Sequence, residues 1–99
     1  MLHIVNKSPS QTRTLESCLR LAEPGSALLL IEDGVYAATN GNADASALHA
    51  ACGRLQIYAL QPDCEARGVT ASLAEGITLI DYGGFVDLVA QRTTCHSWL

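Results

Sequence analysis

At 99 residues the chain has room for one domain with a modest core, a size at which joining other chains often adds stability. Apolar residues make up 48% and charged residues only 16%, below the roughly 25% usual for a soluble domain, which leaves less charged surface to hold it monomeric. The net charge of −4 and six scattered cations (Lys7, Arg13, Arg20, Arg54, Arg67, Arg92) argue against a stand-alone nucleic-acid binder, whose affinity comes from neutralising phosphates.

Leu2 to Val5 reads as a short strand entering the turn Asn6-Lys7-Ser8-Pro9. A helix is predicted to start near Ser10 to Thr12 and to stop before Pro24-Gly25, with Leu15, Cys18, Leu19 and Ala22 at i, i+3, i+4 and i+7 on one face. Ala27 to Ile31 is a continuous apolar run of strand length, the pattern of a strand buried on both faces of a parallel sheet, and a turn follows at Asp33-Gly34. Asn40-Gly41-Asn42 marks a loop, and Ala45 to Cys52 is alanine-rich enough for a short helix closed by Gly53. Leu55 to Leu60 is the third strand. Pro62 to Arg67 makes a short helix, with proline suited to its first position and Gly68 just past its end. Ile77 to Ile80 is the fourth strand, and a last helix over Phe85 to Arg92 presents Phe85, Leu88 and Val89 at helical spacing. Strands alternating with helices imply right-handed βαβ units. The expected fold class is α/β, a small three-layer α/β/α sandwich around a mostly parallel sheet, in a single domain over residues 1–99.

In such sheets ligands collect beyond the carboxyl ends of the strands, which points to Asn6 to Pro9, Glu32 to Tyr36, Gln61 to Cys64 and Asp81 to Gly84. None of these segments holds a G-x-G-x-x-G fingerprint or a Walker-type lysine loop, and no cofactor is expected. The longest apolar run is Ala27 to Ile31, far short of the roughly 20 residues of a membrane span. Lys7, Ser8, Gln11 and Arg13 interrupt any secretory apolar region, so a cytoplasmic location with reduced thiols is expected.

Four cysteines carry the remaining chemistry. Cys18 lies on the apolar stripe of the first helix, where a small buried hydrophobe fits, whereas a sulfur carrier needs a thiolate near a helix N-terminus or a cation. By helical phase Arg20 points away from it. Cys64 follows Pro62 near a helix start, where backbone N–H groups favour the thiolate; Cys52 ends an alanine-rich segment, and both read as incidental. Cys95-His96 are adjacent, a spacing that suits neither a zinc ligand pair nor a thiol–imidazole pair. His3 reads as a half-buried strand residue satisfied by hydrogen bonding. Glu32, Asp33 and Asp81 sit at strand ends, where acids usually cap helices or hold turns. Tyr36, Tyr82 and Phe85 suit core or interface packing, and Trp98-Leu99 reads as docking surface.

Four segments in order, Leu2-His3-Ile4-Val5-Asn6-Lys7-Ser8-Pro9, Leu15-Glu16-Ser17-Cys18-Leu19-Arg20-Leu21, Leu28 to Ala38 and Ile80-Asp81-Tyr82-Gly83-Gly84-Phe85-Val86-Asp87-Leu88, make the chain resemble the DsrH/TusB family of bacterial sulfur-relay subunits. The resemblance runs from Met1 to Leu99. It implies a DsrE/DsrF/DsrH-like fold and a heterohexamer with DsrE/DsrF-like or TusD/TusC-like subunits, two copies of each. That assembly accepts sulfane sulfur as a cysteine persulfide and passes it to a DsrC/TusE-like carrier. The TusB branch feeds 2-thiolation of the tRNA wobble uridine and the DsrH branch serves dissimilatory sulfur oxidation; the L-E-S-C-L, N-K-S-P and G-F-V-D-L segments lean toward DsrH. Cys18 matches the L-x-S-C-L cysteine of DsrH proteins and is by that match the candidate persulfide carrier. Some TusB members lack cysteine there, and the better-supported persulfide cysteine belongs to the DsrE or TusD partner. Two alternatives stand beside this: a purely structural interaction subunit, and an unrelated small-ligand-binding α/β module. An independent catalyst is not expected.

Overall fold

The computed structural model describes residues 1–8, 13–40, 43–92 and 94–98, with side chains at 43–45 left aside. Five strands, β1 (Leu2–Val5), β2 (Ala27–Leu30), β3 (Gln56–Leu60), β4 (Ile77–Ile80) and β5 (Cys95–Trp98), form one sheet in the order β4-β3-β2-β1-β5. Every pairing is parallel. β2 lies at the centre with all four residues, Ala27 to Leu30, fully buried, as its unbroken apolar run predicts.

The strand order explains how the layers arise. Moving from β1 to β2, β3 and β4 the chain always steps the same way, so right-handed crossovers place α1 (Thr14–Leu21), α2 (Ala43–Ala51) and α3 (Gln61–Ala66) on one face. The step from β4 back past β3, β2 and β1 to β5 runs the opposite way, and α4 (Tyr82–Gln91) therefore covers the other face alone. The packing agrees. Val5, Leu28, Leu30, Ile57 and Ala59 point into a core with Leu15, Cys18, Leu19, Leu48 and Cys64, whereas Leu2, Ala27 and Leu29 meet Leu88 of α4 with Ile4, Tyr58, Ile80 and Phe85 at its margin. This is the expected α/β/α sandwich, with unequal outer layers.

Three expectations need correction. The sheet has five strands rather than four: Cys95–Trp98 pairs with β1, His3 opposite His96 and Val5 opposite Trp98. The turn expected at Asp33-Gly34 is instead a seven-residue 3-10 helix, Glu32–Ala38, whose Val35, Ala37 and Ala38 are buried. It fits because Gly34 lies so close to β1 that a β-carbon there would overlap the Val5 carbonyl oxygen. The last helix begins at Tyr82 rather than Phe85, because Asp81 caps it by accepting from the Gly84 backbone N–H at 2.8 Å. The first helix is described from Thr14 onward, and its expected start at Ser10 to Thr12 lies outside the described residues. None of the described helices is long and apolar enough to cross a membrane.

Candidate functional site

Helix α1 delivers Cys18 into the core. Leu15, Cys18 and Leu19 share its buried stripe, and Cys18 is 0% exposed. Burial pushes its thiol up to about 11, and the Arg54 guanidinium offsets this only in part. Arg54 is a residue that sequence reasoning missed in this role. It donates from Nη1 to the Ala22 carbonyl at 2.9 Å and from Nη2 to the Leu19 carbonyl at 2.6 Å, closing the C-terminal turn of α1 from a point more than thirty residues away. The cation beside Cys18 is thus spent on helix carbonyls, while Arg20 is exposed as its helical phase predicts. Such an environment favours the neutral form of the Cys18 thiol.

The other thiols do not converge on it. Cys64 is fully buried in the first turns of α3. Its thiol is raised, first by burial and then by the adjacent Asp63, against a smaller pull from Arg67, so the lowering expected from the helix start is overturned by desolvation. Cys52 is half-buried with its thiol 3.7 Å from the Gly76 carbonyl. Cys95 is exposed, and because strand residues alternate it faces the α4 side while His96 faces the α1 side, so the two form no pair. Among the described residues no cluster of three or more His, Cys, Asp or Glu is placed to hold a metal ion.

The strand-end segments partly come together. Glu32 adopts a left-handed backbone with φ of 49° and donates its N–H to Asp63 Oδ2 at 2.7 Å. Asp33 accepts from Arg67 Nε at 2.9 Å, and the same guanidinium reaches the Asp63 carbonyl. The ends of β2 and β3 are therefore tied by Asp33, Asp63 and Arg67, which gives Asp33 the turn-holding role expected of it, whereas Glu32 takes part through its backbone N–H. The Asp33 bond is also the first cause of the raised Arg67 pKa. Asn6, at the end of β1, keeps a buried Oδ1 with no hydrogen-bond partner. Asp81 is apart from this group, occupied by the cap of α4.

Two surfaces complete the picture. On α4, Tyr82 is 60% and Val86 65% exposed, and with Phe85, Val89 and Ala90 they line an open, almost wholly apolar groove of about 360 Å³. At the β1–β5 edge the expectation for Trp98 is corrected: the ring is half-buried and its Nε1–H donates to His3 Nδ1 at 3.1 Å, so it serves the chain's own sheet. Leu99 lies outside the described residues.

Residues 7–94 match the family described as DsrH like protein. Over 98 residues, 99% of this chain and all of each relative, the sequence is 41% identical to Protein TusB of Serratia proteamaculans (strain 568) and 40% identical to Protein TusB of Escherichia coli (strain K12). Among solved structures the fold is similar to the ychN protein from E. coli, with a TM-score of 0.80 at 18% identity over 97% of both chains. It is also similar to MTH1491 from Methanobacterium thermoautotrophicum, with a TM-score of 0.76 at 17% identity over 97% of this chain and 95% of that one. At those identities the structural likeness concerns the fold, whereas the sequence matches span nearly the whole chain. The chain therefore belongs to the DsrH/TusB family of sulfur-relay subunits.

Proposed function

We propose that this chain acts as a single domain and as the interaction subunit of a cytoplasmic persulfide relay, with the transferable sulfur held on a partner's cysteine rather than on Cys18. The observation that carries this reading is the burial of Cys18: a thiol at 0% exposure with a pKa raised to about 11 is out of reach of a donor and short of thiolate. Cys64 offers no substitute, since it too is buried with its thiol raised. The apolar groove on α4 supports the subunit role, because a run of exposed Tyr82, Val86 and Val89 is what a docking surface presents.

The partners we assign are TusD/TusC-like subunits, or their DsrE/DsrF-like counterparts, in a heterohexamer that hands sulfur to a TusE/DsrC-like carrier. The near-complete matches at about 40% identity to proteins named TusB favour the tRNA wobble-uridine 2-thiolation branch over the sulfur-oxidation branch to which the short motifs lean. The acidic net charge of −4 leaves tRNA contact to other components.

The test combines two readouts. Replacing the chromosomal gene with a Cys18→Ala allele should leave tRNA 2-thiouridine intact while deletion of the gene abolishes it, measured by nucleoside mass spectrometry. In the reconstituted complex, a sulfur donor should add sulfur to a partner cysteine and leave the Cys18 peptide unmodified. Persulfide on Cys18 together with loss of thiolation in the Cys18→Ala strain would instead make this chain a carrier. Intact thiolation after gene deletion would remove the tRNA branch.

A further inference from the structure

The β1–β5 edge carries a cluster of rings apart from the cysteines and strand-end acids described above. His3 is only 5% exposed, faces the α1 side, and sits opposite His96 in the parallel register. The rings of His3, His96 and Trp98 form a cluster: His96 and Trp98 stack with centroids 4.6 Å apart, and His3 lies 6.1 Å from each. An indole N–H can only donate, so the Trp98 Nε1–H bond to His3 Nδ1 requires that nitrogen to be bare and the proton of a neutral ring to sit on Nε2.

We propose that His3 is a pH-sensitive latch for β5: neutral, it accepts the Trp98 bond and holds the edge strand on the sheet; protonated, it lets β5 go and leaves one edge of β1 bare. Protonation puts an N–H at the position that Trp98 already fills with a donor, turning an attractive contact into a donor–donor clash. It also places an imidazolium beside His96 and near the Met1 ammonium, both of which oppose it.

The surrounding groups favour the neutral ring. Burial, then His96, then the N-terminal ammonium all lower the His3 pKa from its ordinary 6.5. From the elements packed against it, β2 offers only the uncharged Leu28 in register, and the α1 charges Glu16 and Arg20 are exposed. Glu23, just beyond α1, lines a cavity of about 140 Å³ with Met1, His3, Leu21 and Ser26 and is the one acid among the described residues that line it. It is exposed to solvent, which screens its pull. Because the folded-state pKa is depressed, the latch is complete above the ordinary value of 6.5 and is lost as pH falls through the folded value.

The experiment uses the full chain, alone or in its complex, between pH 8 and 4.5. Trp98 is the single tryptophan, so its emission reports the ring cluster directly, and amide hydrogen exchange corrected for intrinsic rates reads β5 against β2. On acidification the protection of residues 95–98 should drop at least about tenfold relative to β2, with a change in Trp98 emission at the same midpoint. His3→Asn, which supplies a carbonyl acceptor that does not titrate, should abolish the transition, while His96→Gln should move it to higher pH by removing one repulsion. Protection of β5 that tracks β2 throughout, or a transition unchanged in His3→Asn, overturns the latch. Should His3→Asn fail to fold, the imidazole titration of His3 followed by NMR in the unaltered chain decides: its midpoint must coincide with the loss of β5 protection, and a mismatch overturns the proposal.

Discussion

Alkylation of Cys18 should be slow for two separable reasons, and the structure sets a scale for the first. At pH 8 a thiol with the ordinary value of 9.0 is about one-tenth thiolate, whereas one at about 11 is about one-thousandth, a deficit of about 100-fold. The rarer thiolate is more basic and so more nucleophilic, which with a Brønsted coefficient of about 0.45 returns somewhat less than tenfold, leaving a net slowing of about tenfold from ionisation. Access then multiplies that figure, because a side chain at 0% exposure reacts only when α1 lifts from the sheet. The assay is an iodoacetamide time course on the folded chain, read per cysteine by peptide mass spectrometry, with exposed Cys95 as the internal reference. Cys18 should lag Cys95 by well over about tenfold at pH 8, its rate climbing about tenfold per pH unit toward 11 without an earlier plateau. In guanidinium the two rates should converge. A Cys18 that reacts as fast as Cys95 in the folded chain refutes both the burial argument and the non-carrier assignment built on it.

Gly34→Ala should lower stability by about 1–3 kcal/mol, since its β-carbon meets the rigid Val5 carbonyl rather than a movable side chain, and thermal unfolding should fall by about 4–8 °C per kcal/mol. Asp81→Ala should cost about 1 kcal/mol through loss of the α4 cap and fray its first turn, seen as faster amide exchange at Gly84. Val86→Asp, at a position 65% exposed, should leave the unfolding temperature of the chain within a degree or two while breaking co-purification with the partner subunits on size-exclusion chromatography. Unchanged co-purification would take the α4 groove out of the assembly.

The buried centre of the fold was readable because its residues leave little choice. Leu28-Leu29-Leu30 cannot face water in any arrangement, and the apolar spacing of Leu15, Cys18 and Leu19 dictates which side of α1 packs inward. The edge was not readable for the opposite reason: Cys95-His96-Ser97-Trp98 is largely exposed, carries no aliphatic alternation, and becomes a strand only through its pairing with β1. A usable signal was nonetheless present, since two rings at i and i+2 share a strand face and His3 is the kind of residue that would meet them. The start of α4 was obscured by Gly83-Gly84, which read as loop until the Asp81 cap is seen. In the candidate site, the apolar stripe around Cys18 was visible, but its guanidinium neighbour was not: Arg54 reaches Leu19 from 35 residues away, a distance over which spacing in the chain carries no information.

The strand order also bears on how the molecule comes to be folded. β1 through β4 join neighbours in sequence, so each can close a short loop as it forms, whereas His3 and Trp98 are 95 residues apart and β5 must find an edge made by the first strand. Until it does, β1 has a bare side and the sheet presents an open parallel edge, the kind of surface through which unfinished chains adhere to one another. The faster the aromatic and imidazole rings that β5 brings to that edge are seated, the shorter the interval in which β1 stays bare.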